Sequence, residues 1–245
     1  MKAIKPLPLA ASIVLSTLAF FCQPVSAQTD APPVMSTPPV TLDEKEAMYN
    51  ASVEDRTLKI MQALAMTDSA QSNRVHDIII AHYHALRARD EAIEDELGDT
   101  PRGSAEWQSQ RMAMFSIMSQ PLHDKFVAAL AKDLTPAQLE IVKDKMTYGK
   151  VEFTYNAYCE ILPGLTEADK AKVMELLKQA REVAMDGGSS ADKAAIFQEY
   201  KNQINSYLAA QGFDVAKATQ EWNDRHKLAD KKTGEADSNS APPAK

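Results

Sequence analysis

Cysteine and glycine are scarce in this sequence, and no long apolar run is present. Two cysteines, Cys22 and Cys159, and eight glycines occur among the 245 residues. So few cysteines exclude a disulfide-stapled fold, and no Gly-rich phosphate-binding loop is found. The longest apolar run, from Ala10 to Phe21, is well short of the ~20 residues that cross a bilayer. The fold must therefore depend on an apolar core, and we expect no membrane span.

Positive charge is also in deficit. The chain has 27 lysines and arginines against 34 aspartates and glutamates, for a formal net charge of −7. An acidic protein is repelled by phosphate backbones and by anionic lipid. We therefore expect neither nucleic acid nor an anionic membrane surface as a partner.

The first 27 residues have the pattern of a secretory signal peptide. Lys2 and Lys5 precede the apolar run, and small residues at Val25-Ser26-Ala27 suit a cleavage site. This pattern predicts cleavage after Ala27 and a periplasmic or secreted protein. Cleavage would leave Cys159, which we expect to be a buried apolar residue because its neighbours are largely apolar.

Two polar or proline-rich flanks enclose one domain. Residues 28–42 are rich in proline and residues 230–245 form a polar tail, so both are predicted to be disordered. Between them, residues 43–229 have apolar side chains three and four apart almost throughout. We predict an all-α, bundle-like single domain of six or seven helices.

Several helix starts can be read from capping residues. Thr135 precedes Pro136 and stands three residues before Gln138, which is the pattern of a capping box. Thr166 stands in the same relation to Asp169, and Ser190 is predicted to cap a helix that begins at Ala191.

A methionine-rich stretch runs from Arg111 to Met118. Flexible methionines can form an adaptable binding surface, which is one interpretation. The spacing of Met114, Met118 and Phe126 favours the other, a stripe of core residues on one helix.

Groups that would indicate catalysis or metal binding are not evident. His82 and His84 are two apart on a predicted helix and so point to different faces, and we expect no metal site and no cofactor. Glu152 and Glu160 could in principle form a glycosidase pair, but any acidic helix offers such pairs. An enzymatic role stays open, and a non-catalytic one is favoured.

The densest aromatic segment surrounds Tyr148, Tyr155 and Tyr158, which share one side of a predicted helix. One interpretation makes them core residues. The other makes them a carbohydrate pocket, because sugars stack their C–H faces on aromatic rings and bind their hydroxyls to amides, carboxylates and guanidinium groups. On the second interpretation the candidate binding residues are Tyr148, Glu152, Tyr155, Tyr158, Arg181, Asp186 and Asn205.

Several segments carry a family resemblance, among them Met146-Thr-Tyr-Gly-Lys150, Ala180-Arg-Glu-Val-Ala-Met-Asp-Gly-Gly-Ser-Ser190 and Tyr200-Lys-Asn-Gln-Ile-Asn-Ser-Tyr-Leu208. They resemble the bacterial family known as domain of unknown function 3826, from about Leu42 to Trp222. The resemblance implies an exported protein, and sugar binding is the role suggested for that family. No site residues are carried over from it.

A second, shorter resemblance offers an alternative. Leu134-Thr-Pro-Ala-Gln138 is similar to the Leu-Thr-x-x-Gln signature of Spy- and CpxP-type periplasmic chaperones. We therefore predict binding of an oligosaccharide or polysaccharide without cleavage, accessory to polysaccharide use. The alternative is a periplasmic chaperone or envelope-stress protein, and the oligomeric state is not predicted.

Overall fold

The computed structural model describes the backbone of residues 41–238 and the side chains of residues 41–226. Within this part of the chain the protein is all-helical. Its eight helices are α1 (Leu42–Leu64), α2 (Ser69–Leu97), α3 (Ala105–Leu130), α4 (Pro136–Met146), α5 (Lys150–Ile161), α6 (Glu167–Ala184), α7 (Ser190–Ala210) and α8 (Val215–Ser238). The predicted signal peptide and nearly all of the predicted linker lie outside the described residues. No described helix is both long and apolar enough to cross a membrane.

The all-α prediction is confirmed, but the predicted helix count is too low. The chain breaks between α4 and α5 at Tyr148 and Gly149, whose φ angles are 59° and 65°. Two consecutive residues in the left-handed region end one helix and redirect the next. Tyr148 therefore lies outside the helix on which the sequence placed it.

The C-terminal boundary also differs from the prediction, because α8 continues to Ser238, beyond residue 229 where the helical domain was predicted to end. Residues 229–238 include two alanines and two lysines, which favour helix more than the tail's polarity alone suggests. The beginning of the predicted disordered tail is thus helical.

Most helices begin after a residue whose side chain accepts a hydrogen bond from a backbone N–H of the first turn. Thr135 with Gln138 and Thr166 with Asp169 both form complete capping boxes, which confirms the predicted starts of α4 and α6. Ser189 rather than Ser190 caps α7, since the Ser189 side chain accepts the backbone N–H of Asp192. Such a cap contributes about 1 kcal/mol.

Two apolar clusters form the core. The first joins α1, α2, α4 and the end of α3 around buried residues such as Ile60, Ile79 and Leu130. The second joins α5, α6 and α7, with α8 packed against it, around Leu177, Phe197 and Ile204. Met185, at the end of α6, belongs to the first cluster and so ties the two together.

The core stripe predicted on α3 is found only in part: Phe126 is buried and Met114 is partly buried, but Met118 is exposed. Met112 is 65% exposed, Ile117 is 75% exposed, and Met118 is 37% exposed. Near its C-terminus α3 does join the core, through buried Phe126 and Leu130. In its N-terminal half Trp107, Arg111 and Phe115 are partly buried, whereas the exposed Met112 and Ile117 lie on different sides of the helix.

Candidate functional site

Two of the clefts in the described surface are lined by both aromatic and charged side chains. The smaller, of about 300 Å³, lies along α1 and α2 and is bordered by four carboxylates, two arginines and two tyrosines. The larger, of about 590 Å³, lies between α3 and the α6–α7 pair. Because the larger cleft combines aromatic faces with converging polar groups, it is the stronger candidate for a ligand site. We call it the α3–α7 pocket.

One wall of the α3–α7 pocket is a helical stripe on α3. Trp107, Arg111, Phe115, Ser119 and His123 follow one another at intervals of four residues and all line the pocket. Residues four apart lie on the same side of a helix, so these side chains form one row.

The opposite wall comes from the end of α6 and the first half of α7. Glu182 and Asp186 approach from α6, and Asp192, Glu199 and Tyr200 from α7. The turn between the helices brings these groups together, since Asp186 follows α6 directly and Asp192 closes the capping box of α7.

A buried carboxylate lies at the base of the pocket. Asp186 is 3% exposed, and its Oδ2 lies 2.9 Å from Nδ1 of His123 while its Oδ1 lies 3.3 Å from Nε2 of His82. Burial raises the pKa of Asp186, but the two histidines outweigh that effect and hold the pKa below its ordinary value. Asp186 is therefore ionised and can only accept hydrogen bonds.

The pKa values of the two histidines shift in opposite directions. Burial lowers the pKa of His82, whose ring stacks on Phe126 at 3.8 Å. The hydrogen bond to Asp186 raises the pKa of His123, which is half-buried and faces the pocket. Because Asp186 accepts at Nδ1, the neutral form of His123 carries its proton there and presents an unprotonated Nε2 to the pocket wall. That nitrogen lies 3.7 Å from Glu182.

A second layer of charged groups supports the pocket walls from behind. Arg89 is buried, donates to the Ser119 hydroxyl at 2.9 Å and lies over the Phe115 ring at 4.6 Å. Lys193 is 2% exposed and donates to the backbone oxygens of Ala184 and Met185 at 3.1 and 2.9 Å. Burial lowers the pKa of Lys193 to about 8.

The structure places the seven residues predicted from the sequence in several different environments. Asp186 lines the α3–α7 pocket, and buried Arg181 pairs with Glu140 and with the pocket residue Glu182. Tyr158 is buried, and its hydroxyl donates to Oδ1 of Asn205 at 2.7 Å. These two polar groups satisfy each other beside the second apolar cluster, so they do not converge with Asp186 on one cavity.

The other three predicted residues lie apart from the pocket lining. Tyr148 is 52% exposed in the α4–α5 connection, and Glu152 is exposed in the first turn of α5. Tyr155 is half-buried against the second cluster, beside Cys159. Cys159 itself is partly exposed and not buried as predicted.

Sequence reasoning missed most of the pocket because its residues come from separate helices. His82, His123 and Asp186 meet from α2, α3 and the end of α6, and spacing along one helix cannot reveal such a meeting. The row of every fourth residue from Trp107 to His123 was the available signal, but the methionines between these positions suggested a core stripe instead.

Comparison with known proteins supports the resemblance drawn from the sequence. A family model described as a protein of unknown function, DUF3826, matches residues 50–228. A search of curated proteins finds no match to the chain. Since the family model covers most of the sequence, the chain belongs to the DUF3826 family.

Proposed function

We propose that the protein binds carbohydrate, without cleaving it, in the α3–α7 pocket. The observation that carries this proposal is the pairing of three aromatic side chains, Trp107, Phe115 and Tyr200, with hydrogen-bonding groups in one cavity of about 590 Å³. Aromatic faces match the C–H faces of a sugar ring, and the polar groups match its hydroxyls.

The polar lining offers both donors and acceptors. Gln108, Gln120 and Ser116 can each donate and accept, while Glu182 and Glu199 accept only. A sugar hydroxyl both donates and accepts, so a mixed lining of this kind can satisfy several hydroxyls at once. Such polar contacts fix the orientation of a ligand that stacking alone would leave free.

Binding can be tested by thermal shift and calorimetry with a panel of neutral and acidic oligosaccharides. A ligand at one hundred times its Kd adds about 2.7 kcal/mol of stability, which is a shift of several degrees. We expect Trp107→Ala and Tyr200→Ala to weaken binding by about tenfold or more while leaving the helical spectrum unchanged.

Phe153→Ala is the matched control. Phe153 is 78% exposed on α5 and lies outside the pocket lining, so its loss removes an aromatic ring without touching the proposed site. Equal loss of binding in the Phe153 and Trp107 variants would contradict the location of the site. Absence of a shift with every glycan would contradict the function.

Several exposed apolar side chains on α3 favour a second candidate function. Met112, Ile117 and Met118 are all exposed on α3, and exposed methionines suit promiscuous binding of unfolded chains. A periplasmic chaperone would suppress aggregation of thermally unfolded citrate synthase at near-equimolar ratio. Ile117→Ser should reduce that suppression; no suppression by the wild-type protein would remove this candidate.

A further inference from the structure

Charge is unevenly distributed around the α3–α7 pocket. Four carboxylates line it, from Glu182, Asp186, Asp192 and Glu199, against one guanidinium group from Arg111 and one imidazole from His123. The lining is therefore acidic at every pH at which the carboxylates are ionised and His123 is neutral. This imbalance bears on which class of sugar the pocket accepts.

Both basic groups of the lining already have acidic partners. Arg111 Nη2 lies 3.1 Å from Asp192 Oδ1, and its guanidinium group also lies over the Trp107 ring at 5.6 Å. His123 is held by Asp186 on one side and faces Glu182 on the other. A ligand carboxylate would have to displace one of these partners before it could pair with a cation.

The carboxylates of the lining differ in whether a cation pairs with them. Glu182 is neutralised from behind the pocket by Lys143 at 2.6 Å and by Arg181 at 3.3 Å. Glu199, which is exposed on α7, has no ion pair with any other residue in the described part of the chain. An acidic ligand would therefore meet at least one uncompensated negative charge, and like charges brought together across an interface are strongly unfavourable.

We propose that the pocket selects uncharged sugar residues and excludes uronic acids. Neutral hydroxyls can donate to the same carboxylates that repel an acidic ring, so the acidic lining becomes a set of acceptors for them. The inference rests on the proposed carbohydrate-binding function and deepens it by naming the class of ligand.

Matched ligands give the direct test. Gluco-, manno- and galacto-tetrasaccharides are compared by calorimetry with their C6-oxidised counterparts, at pH 8 and low ionic strength. Each pair shares a ring and differs in the carboxylate. We expect at least one neutral tetrasaccharide to bind about tenfold or more tightly than its oxidised partner, and the ratio to shrink as salt screens the repulsion.

A charge variant tests the cause. Glu199→Gln should narrow the ratio of neutral to oxidised binding severalfold, because it removes the unpaired negative charge while its amide oxygen can still accept from a sugar hydroxyl. Glu160→Gln is the control, because Glu160 is exposed on α5 outside the pocket lining.

Each outcome separates the two proposals. Equal or tighter binding of an oxidised tetrasaccharide would overturn the charge selection while supporting carbohydrate binding. If none of the six ligands bound, the charge selection would fall, and carbohydrate binding would fall with it if the wider panel of oligosaccharides failed too. An unchanged ratio in Glu199→Gln would overturn the role given to that carboxylate.

Discussion

At the scale of single residues, Asp186 is the group on which most of the pocket base depends. Asp186 is buried, and its Oδ2 accepts a hydrogen bond from Nδ1 of His123 at 2.9 Å. Its Oδ1 lies 3.3 Å from Nε2 of His82. Its lowered pKa means that its charge stabilises the fold above pH 3.8 and that this contribution is lost as pH falls through the native pKa. The raised pKa of His123 gives a contribution that is complete below pH 6.5 and lost as pH rises through the native pKa.

We expect Asp186→Asn to lower the unfolding free energy by roughly 1.5–3 kcal/mol, because a hydrogen bond to a charged acceptor is lost. The effect should be largest between pH 3.8 and 6.5, where both contributions are present. The measurement is urea unfolding at several pH values, with an NMR titration of His123. A His123 pKa that did not fall in the variant would contradict the assigned contact.

Tyr148 is the second residue with an unusual environment. Its φ of 59° lies in the left-handed region, which costs a residue with a Cβ roughly 1–2 kcal/mol. Because half of its side chain is exposed, little packing opposes its removal.

Tyr148→Gly should therefore stabilise the protein by about 1 kcal/mol. Chemical denaturation measures the change, with Tyr155→Gly as the control, since Tyr155 lies within helical α5 and glycine there should destabilise. A destabilised Tyr148→Gly variant would show that the tyrosine side chain makes contacts worth more than the strain.

At the scale of helices, the middle and the C-terminal end of α3 differ in how much they contribute to stability. Phe126 is 3% exposed and stacks on His82, whereas Ile117, two and a half turns earlier, is 75% exposed. We expect Phe126→Ala to cost about 3–5 kcal/mol and Ile117→Ser to stay within about 0.5 kcal/mol. Thermal unfolding of both variants measures this contrast, and a large loss in Ile117→Ser would indicate that α3 is covered in solution.

The helices were more predictable than the surfaces they present. Thr135 and Thr166 could be assigned because a capping box is complete within four residues. The face of α3 that packs inward could not be assigned from the sequence. The methionines and the row from Trp107 to His123 both have helical spacing, and only the packing of α3 against α2 decides which of them faces inward. For the same reason Tyr158 was a candidate for sugar stacking until Asn205 was found to accept its hydroxyl.

At the scale of the whole molecule, buried Lys193 should make stability depend on pH in the alkaline range. Its pKa of about 8 lies below the ordinary 10.5, so the unfolded chain holds more protons between these values and stability rises with pH there. The full gain in the free energy of unfolding is roughly 3 kcal/mol, and it is reached near pH 10.5.

The measurement is the difference in unfolding free energy between wild type and Lys193→Met from pH 7 to 10.5. Subtraction removes the titration of the tyrosines, which is common to both proteins. We expect the wild type to gain stability relative to the variant across this range. A flat difference would mean that Lys193 keeps its ordinary pKa.

Which helices pack together in each apolar cluster was visible only in the structure. Sequence periodicity gives each helix an apolar face but does not say which faces meet. The pocket lies where the α2–α3 pair approaches the α6–α7 pair, so its position depends on this long-range arrangement.

The division into two apolar clusters has a consequence for how the protein unfolds. Ion pairs such as Arg181–Glu140, Lys143–Glu182 and Arg111–Asp192 join helices on either side of the division. Concentrated salt weakens such pairs while leaving apolar burial intact. The chain also has two tryptophans, Trp107 on α3 and Trp222 on α8. The end of α3 joins the first cluster and α8 packs against the second, so single Trp→Phe variants yield a fluorescent reporter on one helix of each. In high salt the two reporters should lose their coincident unfolding transitions, and the helical domain would then behave as two cooperative units.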